Sequence, residues 1–368
     1  WNTTKDLLMK TAIPGITGFT TTYANVGQTS NKGVEIALQG VLVKNRDWNV
    51  TAGFNINFNR GKVDKLADNV TGLYGTEWAT SSTFPKSDYV LKEGRPVGLV
   101  RGLTADGFYT TDDFTYENGV YTLKKGVPDV TSAVFPNYHL HSGMNERPAG
   151  QLAYPGMAKF KDLNDDGFIN DDDVDVIGDM TPIHTGGFNI NATYKNFDLG
   201  LYFNWSYGNE IYNVNKLAAL YGYKEGAVYE NKLSIVKDCY KIYDVVNGEL
   251  VALTTPEQLN AANANAKLPL AYSENGYVST LGIEDGSYLR LNTLTLGYTL
   301  PKSVLQKAGI SNLRIYGSIY NVFTITGYSG IDAEVSTSTS TKTYPQLGMD
   351  WGTYPRARSF VLGVNLSF

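Results

Sequence analysis

The chain has 368 residues, 31 basic and 36 acidic side chains and a net charge of −5, and it carries no long single-sign block, which argues against a nucleic-acid partner. Its single cysteine, Cys239, rules out an internal disulfide and a cysteine-built metal centre. No apolar run approaches the ~18–20 residues of a transmembrane helix, which leaves membrane strands open because those are only half apolar. Composition leans towards strands and turns, with 26 Tyr, 15 Phe, 5 Trp and 38 Gly. The opening Trp1-Asn2-Thr3-Thr4 reads as the interior of a longer chain, so the expectation is a C-terminal portion.

In chain order, the first element is a strand stub around Trp1–Leu8. Val34, Ile36, Leu38 and Leu42 then share a face opposite Glu35 and Gln39. Trp48, Val50, Ala52, Phe54, Ile56 and Phe58 alternate with Asn49, Thr51, Gly53, Asn55, Asn57 and Asn59. Phe188, Ile190, Ala192 and Tyr194 follow, then Phe197, Leu199, Leu201, Phe203, Trp205 and Tyr207. Leu294, Leu296 and Tyr298 stand opposite Thr293, Thr295 and Thr299, and Leu313, Ile315 and Ile319 opposite Arg314, Tyr316 and Ser318. The period of two predicts half-buried strands over 33–43, 48–60, 186–194, 197–207, 288–300, 312–324 and 356–368. About eleven residues at ~3.4 Å, tilted near 40°, cover about 28 Å, the span of a membrane-barrel strand.

The last strand carries Phe360, Leu362, Val364, Leu366 and Phe368 on one face. By itself this fits two structures. It could be the final strand of a sandwich core, or the closing strand of an outer-membrane barrel, whose terminal aromatic also serves as an assembly signal. The connections favour the barrel. Lys44–Asp47, Lys195-Asn196 and Pro301–Ser311 are short, whereas 61–185, 208–287 and 325–355 are long. Strand direction puts every long loop on one side, outside the cell. Aromatics fall at the expected depths, with Trp48, Tyr194, Phe197, Tyr298 and Phe368 at the periplasmic ends and Phe58, Trp205, Tyr207, Phe323 and Phe360 at the outer ends. The predicted class is therefore all-β, a transmembrane antiparallel β-barrel facing the lipid bilayer. Seven full strands plus a stub do not close such a barrel, so the expectation is that the remaining strands come from a missing part of the chain.

Within 61–185, Asp162-Leu163-Asn164-Asp165-Asp166-Gly167-Phe168-Ile169-Asn170-Asp171-Asp172-Asp173 fits a calcium-loop spacing. Ca²⁺ takes six to eight oxygens, here from Asp162, Asn164, Asp166, the Phe168 carbonyl, Asn170 (through water) and Asp173. Gly167 allows the sharp turn, and Ile169 is the apolar anchor. Asp173 stands where a longer Glu is usual, which predicts modest affinity. A solvated Asp/Asn turn is the competing account. The expected role is structural, since a long loop without a core is costly to order. Signals for catalysis are poor: His139, His141 and His184 come with no nucleophile or zinc motif, and His139-Leu140-His141, which could ligate a metal from one strand face, reads more readily as surface decoration.

Several motifs together resemble the SusC/RagA-type TonB-dependent transporters of the Bacteroidota outer membrane. They are Asn31-Lys32-Gly33-Val34-Glu35, Gly94-Arg95-Pro96-Val97-Gly98, Ala105-Asp106-Gly107-Phe108 and Pro155-Gly156 leading into Lys161–Asp173. Asn196-Phe197-Asp198-Leu199, Ser206-Tyr207-Gly208-Asn209 and Tyr288–Leu291 running to Leu296-Gly297-Tyr298-Thr299-Leu300-Pro301 belong to the same pattern. The resemblance implies a barrel of about 22 strands, of which this chain supplies about the last eight. It also implies an N-terminal plug and barrel portion, energy coupling to TonB through that portion, and a SusD-like lipoprotein over the outer loops. The cargo implied is a large nutrient, an oligosaccharide or oligopeptide, and Tyr221–Tyr229 suits stacking on it. Two other classes remain to be weighed: a soluble or surface β-sandwich that binds glycans, and an outer-membrane enzyme.

Overall fold

Eight antiparallel strands form one sheet in the computed structural model, which describes residues 1–5, 8–12, 21–25, 27–66, 70–135, 147–220, 233–271, 276–306, 309–337 and 346–368. They are β1 (Asn2–Thr4), β2 (Gln28–Lys44), β3 (Trp48–Lys65), β4 (His184–Tyr194), β5 (Phe197–Tyr207), β6 (Tyr288–Thr299), β7 (Asn312–Thr326) and β8 (Ser359–Ser367). Each pairs with the one before it, so sheet order is chain order. This follows from the connections: two or three polar residues join β2 to β3 and β4 to β5, too few for anything but a hairpin. A short helix, Lys302–Leu305, lies within the link between β6 and β7. Register shifts between Val41 and Val43, Tyr202 and Phe203, and Leu291 and Thr293 mark irregularities in the ladder, and bulges of this kind bend a sheet.

Two strands run further than their apolar period. β2 and β3 have 17 and 18 residues, and their upper ends rise out of the lipid-facing stretch. There Val63 turns inward and is buried with Leu66 and Leu91. No helix among the described residues is long and apolar enough to cross a membrane.

The three long connections differ from the coreless loops expected. Their described parts share one hydrophobic core, joining Leu103, Tyr109, Tyr121, Tyr154, Phe160 and Ile169 with Tyr212, Leu217, Leu259, Tyr277 and Val278, and with Met349. Most of these side chains are fully buried, each contributing about 1.5–3 kcal/mol through burial. Backbone bonds stitch the connections together: Leu103 N donates to Val278 O at 2.8 Å and Tyr212 N to Gly348 O at 2.9 Å. The Tyr89 hydroxyl donates to the Leu347 carbonyl at 2.8 Å. The core escaped detection because its residues come from short strands and irregular turns, which impose no lasting period.

Candidate functional site

The sheet has one apolar face, and that face is open. Phe360, Leu362, Val364 and Leu366 are 71, 89, 61 and 46% exposed, and Val34, Leu38 and Leu296 are 61, 63 and 53% exposed. In register, Leu362 lies opposite Gly317, which faces Leu296, which faces Leu199. The row therefore continues across strands as a sheet-wide apolar surface. A sandwich would bury this face under a second layer, so the β-sandwich account fails on it. Hydrocarbon is the solvent that such a surface requires.

Aromatic rows bound the surface. At the periplasmic edge, Trp48, Tyr194, Phe197 and Tyr298 are consecutive cross-strand partners, with centroids 4.4 Å apart for Trp48–Tyr194 and 4.7 Å for Phe197–Tyr298. At the outer edge His184 joins Phe58 and Tyr207, with centroids 5.5 and 5.0 Å away, and accepts from Trp205 Nε1 at 3.1 Å. His184 thus belongs to the interface belt. His139 and His141 lie outside the described residues, as does the Tyr221–Tyr229 segment.

The opposite face lines the lumen with amides and hydroxyls. Asn49, Asn55, Asn57, Asn189 and Asn191 point there with Thr295 and Ser318, whose hydroxyls are 2.8 Å apart. Within β4–β8 the charged residues are Asp198, Arg290 and Arg314, and all three are paired. Arg314 reaches across Gly297 to Asp198 with bonds of 2.9 and 2.5 Å, and a Cβ on Gly297 would overlap both side chains. Arg290 is 2% exposed, bonds Asp332, and lies 3.2 Å from a Glu334 oxygen. Arg356 bonds Glu334 at 2.8 Å, so two arginines and two acids tie the third long connection to the rim of the wall. Sequence reasoning missed these two clusters. Their signal was the rarity of charge on strands whose polar faces are otherwise uncharged.

The last strand pairs with β7 along its whole length. Phe360, Leu362, Val364 and Leu366 pair with Ile319, Gly317, Ile315 and Leu313 of β7, and Phe368 follows at the periplasmic end, 87% exposed.

The acidic loop folds into a tight turn. Asp162 accepts from Gly167 N at 2.7 Å, Asp166 accepts from Phe168 N at 2.8 Å and from Asn164 Nδ2 at 3.0 Å, and Asn170 Nδ2 lies 3.5 Å from Asp166. Gly167 has φ of +86°, a left-handed conformation that suits glycine. The Phe168 N–H, then Asn164, hold the Asp166 carboxyl below its ordinary range. Ile169 is fully buried, and Phe168–Ile169 pairs with Asp129–Val130. Asp173 differs from the other five positions. It is buried, and its two oxygens accept from Leu163 N at 2.7 Å and Asn170 N at 2.8 Å, so it clips the ends of the loop together. Asp162, Asn164, Asp166 and Asn170 face one another around the turn, but among the described residues no three His, Cys, Asp or Glu side chains converge as a metal-binding group.

Cys239 is buried, which pushes its thiol up to about 11, so it is no ready nucleophile.

An apolar, girdled outer face, a polar lumen face and a folded domain on the long-connection side define the wall of an outer-membrane β-barrel. No family model matches the chain. Its sequence is 30% identical over 370 residues to TonB-dependent receptor P3 of Formosa agariphila, covering 99% of this chain and 31% of that protein. It is 24% identical over 373 residues to TonB-dependent receptor SusC of Bacteroides thetaiotaomicron, covering 99% of this chain and 29% of that protein. The structure of the RagAB peptide importer in the closed-closed state superposes with a TM-score of 0.67 at 23% identity, covering 100% of this chain and 32% of that one. The open-open state gives a TM-score of 0.65. The chain thus spans about a third of the length of these relatives. Across 99% of its length the chain thus matches a part of the TonB-dependent receptors of the outer membrane, SusC among them, and its sheet has the fold of the corresponding part of the RagAB importer.

Proposed function

We propose that this chain forms the closing wall and much of the outer surface domain of an active importer for a large nutrient, an oligosaccharide or oligopeptide. The observation that carries this is the joining of a girdled membrane wall to a large, rigidly cored external domain, an arrangement suited to receiving bulky cargo. The rest of the transporter supplies the plug and remaining strands, and TonB pulls on that part. A SusD-like lipoprotein docks on the outer domain and delivers cargo. SusC among the relatives and the RagAB peptide importer among the structural neighbours support both the partner and a polymeric cargo. Growth of a deletion strain on a panel of glycans and peptides tests the proposal. Lost growth on one class of large substrate is expected, and unchanged growth on every one would overturn it.

A structural Ca²⁺ in the acidic loop is part of the same proposal. Asp162, Asn164, Asp166, the Phe168 carbonyl and Asn170 would hold the ion, with Asp173 contributing through lone pairs left by its two backbone bonds. The turn that already gathers Asp162, Asn164, Asp166 and Asn170 favours this, and the cation would relieve carboxylate repulsion. Terbium luminescence on the whole transporter should report one site, lost in Asp162→Ala with Asp166→Ala while the barrel stays folded. Equal luminescence in that variant would refute the assignment.

A further inference from the structure

Above the lipid-facing stretch, the outward row of β2 and β3 changes from apolar to basic in a single step. Val34 lies opposite Phe58, and the next outward pair up is Lys32 opposite Arg60, with Lys62 one step higher. All three cations are exposed. Lys62 has a counter-charge, Asp64, at 3.1 Å. Among the described residues Lys32 and Arg60 have none. The Lys32 amine sits 4.1 Å from the centroid of the Trp1 ring, while Arg60 Nη1 donates to the Pro182 carbonyl at 2.6 Å and the Asn59 carbonyl at 3.5 Å.

Like charges directly opposite one another on an antiparallel pair repel, so Lys32 against Arg60 is unfavourable unless an anion lies between them. Space exists for one. A recess of about 520 Å³ opens beside the two residues, walled by Lys62, Thr181, Ile183 and Asp179. The Asp179 carboxylate is turned to its own loop, accepting the Thr181 N–H at 2.9 Å.

We propose that this recess binds the phosphate of a phosphorylated lipid headgroup in the outer leaflet. Lys32 and Arg60 are the direct ligands, the guanidinium offering its remaining N–H groups in a fork, and Lys62 adds longer-range attraction. Height selects a lipid over a dissolved anion. Val34, Ile36 and Phe58 are 61, 45 and 40% exposed immediately below the recess. Acyl chains lying along that row bring a headgroup to the level of Lys32 and Arg60, about 5 Å above Phe58 along a tilted strand. Arg358 stands just before β8, above Phe360, in the same relation, exposed and without an ion pair among the described residues.

The test uses the whole transporter, purified in mild detergent and reconstituted in nanodiscs of phosphatidylcholine with or without diphosphoryl lipid A. Native mass spectrometry reads the retained lipid. Lys32→Gln with Arg60→Gln should lower lipid A retention on the order of tenfold, as loss of charge-assisted bonds implies, while Lys44→Gln at the periplasmic end should change nothing. If the double variant misfolds, Lys32→Gln alone serves, because Lys32 makes no hydrogen bond among the described residues. Equal retention by wild type and the folded variant would overturn the proposal. So would inorganic phosphate binding the detergent-solubilised protein as tightly as lipid A does, which would mark a site for free anions. Both readouts are binding, so they stand apart from whether the transporter imports nutrients.

Discussion

Placing Arg at Val364 should destabilise the barrel far more than placing it at Phe368. From Phe360 at the outer belt to Phe368 at the inner one is eight residues. At ~3.4 Å per residue and a tilt near 40°, that descent is about 21 Å, close to the ~25 Å height of an apolar band. Val364 is the midpoint, lies opposite Ile315 and is 61% exposed on the lipid face. A guanidinium there must enter the hydrocarbon midplane, at a cost of about 2–4 kcal/mol. At Phe368 it sits at the headgroups, at a cost of about 0–1 kcal/mol. Leu362, about 5 Å above the midpoint, should fall slightly below Val364. Urea titration of the full transporter folded into vesicles, read by heat-modifiable gel mobility, ranks the three. If Val364→Arg costs no more than Phe368→Arg, the β8 residues do not face lipid and the depth argument is wrong.

Other parts of the structure lead to sharp expectations. Gly297→Val should wedge Arg314 from Asp198 and cost about 1–3 kcal/mol in the same titration, whereas Gly40→Val, with open space around it, should not. Arg290→Met takes from buried Asp332 its nearer partner and leaves it Arg356 at 3.5 Å, so it should cost no more than about 3–5 kcal/mol, seen as faster proteolysis in 325–355. Asp88 is fully buried and accepts the N–H groups of Glu77, Trp78 and Ala79 at 2.8, 2.8 and 3.0 Å, so Asp88→Ala should loosen the outer domain by about 2–4 kcal/mol while heat-modifiable mobility stays normal. Because Asp166 titrates below its ordinary value of 3.8, its contribution is present above that value and lost as pH falls through the lowered one. Hydrogen exchange in 162–173 without calcium should therefore rise only in acid, and a rise near neutrality would contradict the bonds drawn to Asp166.

The membrane wall was legible because a strand with lipid on one side and water on the other must alternate, as Trp48 to Asn59 do without a break. The turns at Lys195-Asn196 and Asn45–Asp47 then fixed pairing and direction. Strand ends were harder to place. Nothing in Arg60–Lys65 keeps the apolar period, yet the ladder continues to Lys65, where Val63 packs with Leu66 and Leu91 in a small cluster of its own. The charge clusters hid for a similar reason, as Asp198 and Arg314 are far apart in sequence and meet only once β6 lies between them. In the acidic loop, spacing pointed to Asp173 as a plain ligand, whereas burial gives its oxygens backbone donors first.

The shared core of the three long connections has an evolutionary consequence. Segments as distant as Tyr89 and Leu347, or Leu103 and Val278, must fit one another side by side. A lineage that changes its cargo therefore cannot graft one outer connection from a cousin as a cassette, since the graft would carry half a jigsaw. Change must come as co-ordinated substitution across all three, or as exchange of the whole stretch from β3 to β8. Recombination break-points among such genes should accordingly cluster in the Asn45–Asp47 turn or before β2, ahead of the first long connection, and chimaeras joined there should be the ones that fold.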